Sequence, residues 1–205
     1  MKSCYFSRLS ILSFALLVNF TCLSQTAEIP LKLADVCLSP TEQSLAVLIN
    51  GYRKEKKLPE ILVSRSLTFV AQVHARDLVL HYRQNSRCNL HSWSDNGPWS
   101  SCCYTADHRK ASCMWDKPRE LTPYTGDGYE IAFYSNYPYS TPADFASDIL
   151  KGWKKSPGHN EIIINKGKWS KSTWKAMGVG AYGNYAVVWF GEGVDDTAEP
   201  SACAQ

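Results

Sequence analysis

Beyond its first two dozen residues, the sequence lacks any apolar run long enough to cross a bilayer, so a membrane-spanning helix is not expected. It also lacks an excess of one charge. The 22 basic and 19 acidic residues give a net charge of +3, and the short basic runs at 53–57 and 151–155 lie on or beside predicted helices. Because binding to phosphates needs a clustered basic surface, nucleic acid is not an expected partner.

Several catalytic and metal-binding motifs are missing as well. The absence of a His-Glu-x-x-His sequence removes the commonest metalloprotease signature. Ser92 and Ser156 lie beside histidines, but without a Gly-x-Ser-x-Gly sequence they lack the turn that presents a hydrolase nucleophile. Paired Cys-x-x-Cys elements are absent, so a structural zinc cluster is not predicted.

Residues 1–24 have the layout of a secretory signal peptide. Two basic residues precede an apolar run at 9–20, and small residues follow before the expected cleavage point. Lipid modification of Cys22 is an alternative, but residues 19–21 are poor neighbours for a lipidated cysteine. The sequence therefore predicts a secreted, extracellular protein.

The exported chain would be about 180 residues long, which suits one domain with its own core. We place this domain at residues 37–203, after an N-terminal extension at 25–36. The only Asn-x-Ser/Thr acceptor, at Asn19, lies in the predicted signal peptide. N-linked sugar is therefore not expected on the exported chain.

Six cysteines remain after removal of the signal peptide, at positions 37, 88, 102, 103, 113 and 203. An even number of cysteines in an oxidising compartment predicts three disulfides. Six cysteines allow 15 pairings, and excluding a bond between the neighbours Cys102 and Cys103 leaves 12. Among these we expect Cys37 to pair with Cys203, which joins the two ends, and the other four to cross-link a central loop.

Capping signals mark the predicted helices. Ser39-Pro40-Thr41-Glu42 contains a capping serine, a first-turn proline and a glutamate three residues on. A second helix is predicted over 65–81, with His74 on its buried face, and a third begins at Thr141-Pro142. A turn at 156–158 and a short apolar helix at 160–164 follow the third helix.

The remaining segments are predicted as loop and hairpin. Residues 83–125 carry four cysteines, glycine and prolines such as Pro98 and Pro118, which favours a long loop held by disulfides. Residues 177–182 alternate small and large side chains, and residues 185–190 form an apolar run. Gly183-Asn184 lies between them as a turn, which predicts a β-hairpin. Early helices and late antiparallel strands indicate an α+β fold in which helices pack on a sheet.

Three short motifs carry side chains suited to metal binding or proton transfer. They are Cys-Asn-Leu-His-Ser-Trp around His91, Asp-Gly-Tyr-Glu-Ile-Ala-Phe around Glu130 and Trp-Lys-Lys-Ser-Pro-Gly-His-Asn around His159. Imidazole and carboxylate groups are ligands of zinc and of similar divalent metals, and they also act as general acids and bases. The structural alternative is that Glu130 is a buried carboxylate that pairs with a histidine and braces a loop.

The other histidines receive structural interpretations. His74 is expected to be a buried core residue and His81 a helix-end residue that favours the helix dipole there. His108 lies among charged residues and is expected to be exposed. The many aromatic residues of the central loop, and those after Glu130, could form an apolar groove for a lipid or peptide, but we expect most of them to fill the core.

The order of the motifs resembles the CAP superfamily, which contains the cysteine-rich secretory, antigen 5 and pathogenesis-related-1 proteins. The resemblance covers roughly residues 40–191 and includes the helix with His74-Ala75, the three motifs above, Gly178-Val179-Gly180 and Trp189-Phe190-Gly191. It implies a three-layer α-β-α sandwich with an antiparallel sheet, a disulfide-braced loop and a cleft. It also implies that His91, Glu130 and His159 surround this cleft.

The sequence departs from the pattern of this superfamily at two points. Tyr129 precedes Glu130, so the motif reads Gly-Tyr-Glu-Ile where the family pattern has Gly-Glu-Asn-Ile. Lys154 and Lys155 follow Trp153, where many secreted eukaryotic members carry a second glutamate. With three ligands in place of four, a bound metal would keep an open position for water or substrate.

The resemblance implies a secreted binding or effector protein without enzymatic activity, whose cleft holds a sterol, another lipid or a partner protein. The alternative is a metal-dependent hydrolase, in which Glu130 acts as general base and zinc or another divalent metal lies at His91 and His159. A third possibility is an extracellular structural or signalling protein with a vestigial cleft.

Overall fold

The computed structural model describes residues 32–84 and 87–204. The predicted signal peptide at 1–24 lies outside these residues, and so does most of the predicted extension. The domain bounds of 37–203 therefore stay a prediction. No helix within the described ranges is long and apolar enough to cross a membrane.

Helices and strands are interspersed along the chain. The longer helices are α1 (Pro40–Glu55), α2 (Arg65–His81) and α5 (Pro142–Lys155), and the shorter ones are α3 (Ser112–Trp115), α4 (Lys117–Leu121) and α6 (Pro157–Ile163). The strands are β1 (Cys37–Leu38), β2 (Leu62–Val63), β3 (Tyr129–Tyr134), β4 (Ala176–Tyr182), β5 (Tyr185–Gly191) and β6 (Ser201–Ala202). This mixed content confirms the predicted α+β class.

Local capping chemistry explains where the first two helices begin. Ser39 and Glu42 form the predicted capping box, in which the Ser39 amide donates to the Glu42 carboxylate at 2.7 Å and the Glu42 amide donates to the Ser39 hydroxyl at 3.4 Å. Ser64 caps α2 by accepting a hydrogen bond from the Leu67 amide at 2.9 Å. These bonds satisfy amides that have no partner within their own helix.

The main sheet has the strand order β2-β4-β5-β3. Strands β4 and β5 form the predicted hairpin, β3 runs antiparallel to β5, and the short β2 runs parallel to β4. A separate pair, β1 and β6, brings the two ends of the described chain together. The hairpin therefore lies in the middle of the sheet, with β3 at one edge.

Helices cover both faces of this sheet, which confirms the predicted α-β-α sandwich. Helix α2 packs on β4 and β5 over one apolar core that contains Leu67, Val70 and Trp189. Helices α1 and α5 pack on the other face over a second core that contains Ile49 and Trp153. Alternate residues of each strand supply the two cores, because successive strand side chains point to opposite faces.

Three disulfides are present in the described structure. Cys37 pairs with Cys203, as predicted, and the two remaining bonds join Cys88 to Cys103 and Cys102 to Cys113. The adjacent residues Cys102 and Cys103 therefore belong to different bonds. This arrangement ties the segment that carries His91 to the segment that precedes α3.

Two predicted details differ from the structure. The segment 83–125 is not irregular throughout, since it contains α3 and α4, and Pro118 occupies the first turn of α4. Helix α6 begins at Pro157, where the sequence predicted a turn. Proline suits the first turn of a helix because it has no amide hydrogen that would need a partner there.

Candidate functional site

A cavity of about 310 Å³ lies beside strand β3 and helix α6. His91, Glu130 and His159 are all among its lining residues, so the structure places the three residues of the sequence motifs at one site. The rest of the lining is mostly aromatic and apolar and comprises Tyr104, Ala111, Met114, Trp115, Tyr129, Ile131, Ile162 and Trp169, with Gly158, His108 and Lys168 completing it.

Each of the three residues is positioned by a different element. Glu130 is the second residue of β3 and pairs with Trp189 of β5, so its side chain points to the α2 side of the sheet. His91 follows a turn in which Asn89 accepts hydrogen bonds from the amides of His91 and Ser92, both at 3.0 Å. His159 lies in the first turn of α6.

Two histidines bind the Glu130 carboxylate, one on each oxygen. His91 Nδ1 lies 2.7 Å from Oε1, and Nδ1 of His74 on helix α2 contacts Oε2. The side chains of His74 and Glu130 are fully buried, whereas that of His91 is 19% exposed. Glu130 is therefore anchored between α2 and the His91 turn, with both oxygens engaged.

The surroundings of His74 determine its charge. Its second nitrogen, Nε2, lies 3.1 Å from the carbonyl oxygen of Ser92. A carbonyl oxygen can only accept, so Nε2 carries a proton, and Nδ1 faces a carboxylate that also accepts. With protons on both nitrogens, His74 is an imidazolium ion that pairs with an ionised Glu130, and its ring stacks on Trp93 at 4.3 Å between centroids.

The pKa values of this pair agree with that charge state. Burial alone would lower the pKa of His74, but the charge of Glu130 and the hydrogen bonds to Glu130 and Ser92 raise it above its ordinary value of 6.5. Burial would likewise raise the pKa of Glu130, but His74 and then His91 lower it below 4.5. Both directions favour the charged forms of His74 and Glu130 that the hydrogen bonds indicate.

His91 is left with one nitrogen for the cavity. Because an ionised carboxylate only accepts hydrogen bonds, His91 Nδ1 donates to Glu130, and a neutral His91 then has a lone pair on Nε2. Within the described ranges, Nε2 has no hydrogen-bond partner. Glu130 therefore fixes the tautomer of His91 as well as its position.

His159 remains neutral. Burial and the nearby His91 lower the pKa of His159 to about 4, and Glu130 offsets only part of this shift. Its ring lies 6.5 Å from that of Trp153, centroid to centroid. Two imidazoles that can be neutral, His91 and His159, thus line a cavity next to a carboxylate whose charge is already balanced.

Fewer residues are available to bind a metal ion than the three ligands that the sequence predicted. No group of three His, Cys, Asp or Glu side chains among the described residues is placed to hold a metal ion. If a metal binds here, the imidazoles of His91 and His159 would hold it, and Glu130 would orient His91 from behind, as carboxylates commonly do for metal-bound histidines. Metal binding by His91, Glu130 and His159 stays a prediction.

An aromatic wall completes the cavity. Tyr129 contacts Trp115 and Trp169 at 5.7 and 4.8 Å between ring centroids, both edge to face. Other aromatics of the central loop are buried, among them Trp93, Trp99 and Tyr124. The expectation that most loop aromatics fill the core is confirmed for these three, while Trp115 and Tyr129 face the cavity.

Sequence reasoning missed the role of His74. Its burial on α2 was predicted correctly, and His108 is exposed and His81 ends α2, as expected. The contact of His74 with Glu130, however, joins residues 56 positions apart. One signal was available in the sequence. A buried polar side chain almost always has a partner, so a histidine on the buried face of α2 indicates an acidic residue in the layer that packs against it.

Comparison with known proteins gives one family and several similar folds. Residues 47–189, more than half of the chain, match the family model described as "CAP: Cysteine-rich secretory protein family". An extracellular protein containing an SCP domain from Bacillus anthracis str. Ames has a similar fold, with 17% identity, a TM-score of 0.50 and coverage of 75% of this chain and 40% of that chain. No curated protein matches.

Two further solved structures are similar at lower scores. A cysteine-rich secretory protein from Staphylococcus aureus has 17% identity, a TM-score of 0.47 and coverage of 75% of this chain and 38% of that chain. An outer surface protein from Borrelia burgdorferi has 16% identity, a TM-score of 0.48 and coverage of 74% and 92%. The chain thus spans less than half the length of the first two proteins.

Proposed function

We propose, from the premise that this chain belongs to the CAP family of cysteine-rich secretory proteins, that it is a secreted binding protein without hydrolase activity. The cavity beside Glu130 is the proposed binding site, and the proposed ligand is a sterol or another lipid. The alternative function is that of a metal-dependent hydrolase. The binding hypothesis also has a second form, in which the cleft binds a partner protein and not a lipid.

The state of Glu130 carries this proposal. A general base must accept a proton from water or substrate within hydrogen-bond reach. The Glu130 side chain is fully buried, both of its oxygens bind histidine nitrogens, and its pKa is lowered by His74 and His91 against the effect of burial. A carboxylate in this state is a weak base that is shielded from water, which argues against the hydrolase.

The lining of the cavity supports an apolar ligand. Ile131, Ile162 and Met114 provide aliphatic and thioether surface, and the wall of Trp115, Tyr129 and Trp169 provides aromatic surface. Small-molecule sites are typically concave and mostly apolar, with a few polar groups that fix the orientation of the ligand. His91 and His159 are suited to be those polar groups, with a hydroxyl or carbonyl of the ligand as their partner.

Gly158 offers a position at the cavity wall where a side chain can be added without disturbing the fold. It lines the cavity, and a Cβ atom added there would meet no other atom within 4 Å. We therefore expect Gly158→Leu to fold normally and to weaken binding of a fluorescent sterol and of a fluorescent fatty acid about tenfold or more. Gly51→Leu is the matched control, because Gly51 is equally open but lies on the exposed face of α1, away from the cavity.

Titration with the fluorescent sterol and fatty acid, combined with a hydrolysis assay, separates the lipid-binding hypothesis from the hydrolase hypothesis. Saturable binding of either probe that Gly158→Leu weakens and Gly51→Leu preserves supports the lipid-binding function. No saturable binding of either probe to the unmodified protein would reject it. Hydrolysis of ester or peptide substrates that is lost in a His91→Ala/His159→Ala variant would favour the hydrolase.

A further inference from the structure

The loop between β3 and α5 carries tyrosines that the cavity at Glu130 does not use. Tyr137 is 68% exposed, and its ring meets that of Tyr139 edge to face at 5.0 Å between centroids. The amide of Tyr137 donates to the Ser135 hydroxyl at 3.1 Å. An exposed aromatic ring that is held in a defined orientation is a common feature of binding surfaces.

Tyr139 anchors this arrangement to the fold. Its hydroxyl donates to Asp148 of α5 at 2.5 Å, and its ring lies 4.8 Å from that of the buried Phe145. Ser135 also contacts the Tyr139 hydroxyl, at 2.8 Å. The loop is thus fixed to the first turns of α5 by polar and apolar contacts, and Tyr137 stands out from it.

Two cavities share this segment as a common wall. One, of about 380 Å³, has both polar and apolar lining residues, among them Thr41, Asn184 and Phe145. The other, of about 410 Å³, is lined by Asp144, Asp148 and Lys151. Tyr137, Tyr139 and Ser140 line both. Each volume falls within the range of small-molecule sites, so an extended ligand could occupy both and pass over Tyr137.

The second cavity is rich in hydrogen-bond acceptors. Asp148 uses one oxygen for Tyr139, and Asp144 uses one for the hydroxyl of Thr141 at 2.8 Å. In the described structure the other oxygen of each carboxylate has no hydrogen-bond partner. Fixed acceptors beside an exposed ring suit a ligand that presents many hydroxyl donors and one flat C–H face.

We propose that the Tyr137 segment is a second binding site, distinct from the cavity at Glu130, and that it takes a neutral oligosaccharide of at least two sugar rings. A lipid chain would have to pass over the charged groups of Asp144, Asp148 and Lys151, which disfavour an apolar ligand. An acidic sugar would be repelled by Asp144 and Asp148, whose two charges exceed the single charge of Lys151. A proline-rich peptide would leave the free oxygens of Asp144 and Asp148 without donors, because proline has no amide hydrogen.

NMR titration of the 15N-labelled exported chain tests this site separately from the lipid site. The probes are hexamers of β-1,4-linked glucose, β-1,4-linked N-acetylglucosamine and α-1,4-linked glucose, and a galacturonic acid hexamer. We expect at least one neutral hexamer to cause saturable amide shifts confined to residues 135–151 and to the Asn184 turn. The galacturonic acid hexamer is expected to bind at least about tenfold more weakly.

Three tyrosine variants identify the ring that makes the contact. Tyr137→Ala should weaken binding about tenfold, and Tyr137→Phe should retain it, because the ring face and not the hydroxyl makes the contact. Tyr134→Ala is the control, since Tyr134 is 49% exposed but lines neither cavity. No shifts with any neutral hexamer, equal binding of the acidic hexamer, or the same shifts with a polyproline peptide alone would overturn the proposal. Lipid binding at Glu130 could succeed or fail without changing this result.

Discussion

At the scale of single residues, the site is organised by a buried ion pair in which each charge compensates the other. His74 and Glu130 are fully buried and each satisfies the other, while Ser92 and His91 complete their hydrogen bonds. Such a pair does not have to add stability compared with an apolar pair, but removal of one partner leaves a buried charge alone. The result is a carboxylate that positions His91 and whose two oxygens are both engaged by histidines.

Truncation of one partner should therefore be costly. We predict that His74→Ala lowers the free energy of unfolding by roughly 3–5 kcal/mol, because it leaves Glu130 without its counter-ion. Denaturant unfolding measures this change. Val47→Ala is the control, since Val47 is 71% exposed on α1, and it should change stability by less than about 0.5 kcal/mol. A loss at His74 as small as that at Val47 would contradict the ion pair.

The same pair should make stability depend on pH in a defined way. The raised pKa of His74 means that its contribution is complete below its ordinary value of 6.5 and is lost as pH rises through the higher folded pKa. The lowered pKa of Glu130 means that its contribution is complete above 4.5 and is lost as pH falls through the lower folded pKa. The pair therefore stabilises most between pH 4.5 and 6.5.

Unfolding curves measured across pH test this dependence. A His74→Leu/Glu130→Leu variant removes both charges and replaces them with apolar groups, so no buried charge is left alone. We predict that the stability of this variant changes less with pH than that of the unmodified protein, on both the acid and the alkaline side. Equal slopes in the two proteins would show that these groups do not have shifted pKa values.

At the scale of elements, the position of His74 depends on how closely α2 approaches the sheet. Gly178 and Gly180 of β4 face the backbone of α2, where a Cβ atom on either glycine would overlap backbone atoms of Leu67 or Ala71. The missing side chains therefore allow α2 to lie directly on β4. This contact sets the distance from His74 on α2 to Glu130 on β3.

Addition of one methyl group at this interface should disturb the site. We predict that Gly180→Ala lowers stability by roughly 1–3 kcal/mol, because backbone atoms of α2 cannot move aside as a flexible side chain would. Gly158→Ala has open space and should cost little. Thermal unfolding measures both variants, and if Gly180→Ala were as stable as Gly158→Ala, the proposed close packing of α2 on β4 would be wrong.

The sequence predicted elements where the local chemistry is strong. The capping box at Ser39, the hairpin around Gly183 and the pairing of Cys37 with Cys203 were all predicted and are present. Helices α3 and α4 were missed because cysteine, proline and glycine dominate the local pattern there. Helix α6 was shortened because Pro157-Gly158 resembles a turn, although proline also suits the first turn of a helix.

At the scale of the whole molecule, the site lies where distant parts of the chain meet. His74 comes from a helix on one face of the sheet, Glu130 from the edge strand, His91 from the disulfide-braced loop and His159 from α6. Motif order and family resemblance predicted that His91, Glu130 and His159 would share a cleft. They did not predict that each oxygen of Glu130 would bind a histidine. Such partners depend on tertiary packing and leave no periodic pattern in the sequence.

The central claim is that Glu130 is an ionised anchor held by a protonated His74, with His91 fixed in the tautomer that carries its proton on Nδ1. A long-range 1H–15N NMR spectrum of the histidine rings at pH 7 tests it most directly. The account predicts protons on both ring nitrogens of His74, and for His91 a proton on Nδ1 that is donated to Glu130. A neutral His74, or a His91 whose Nδ1 carries no proton, would contradict it.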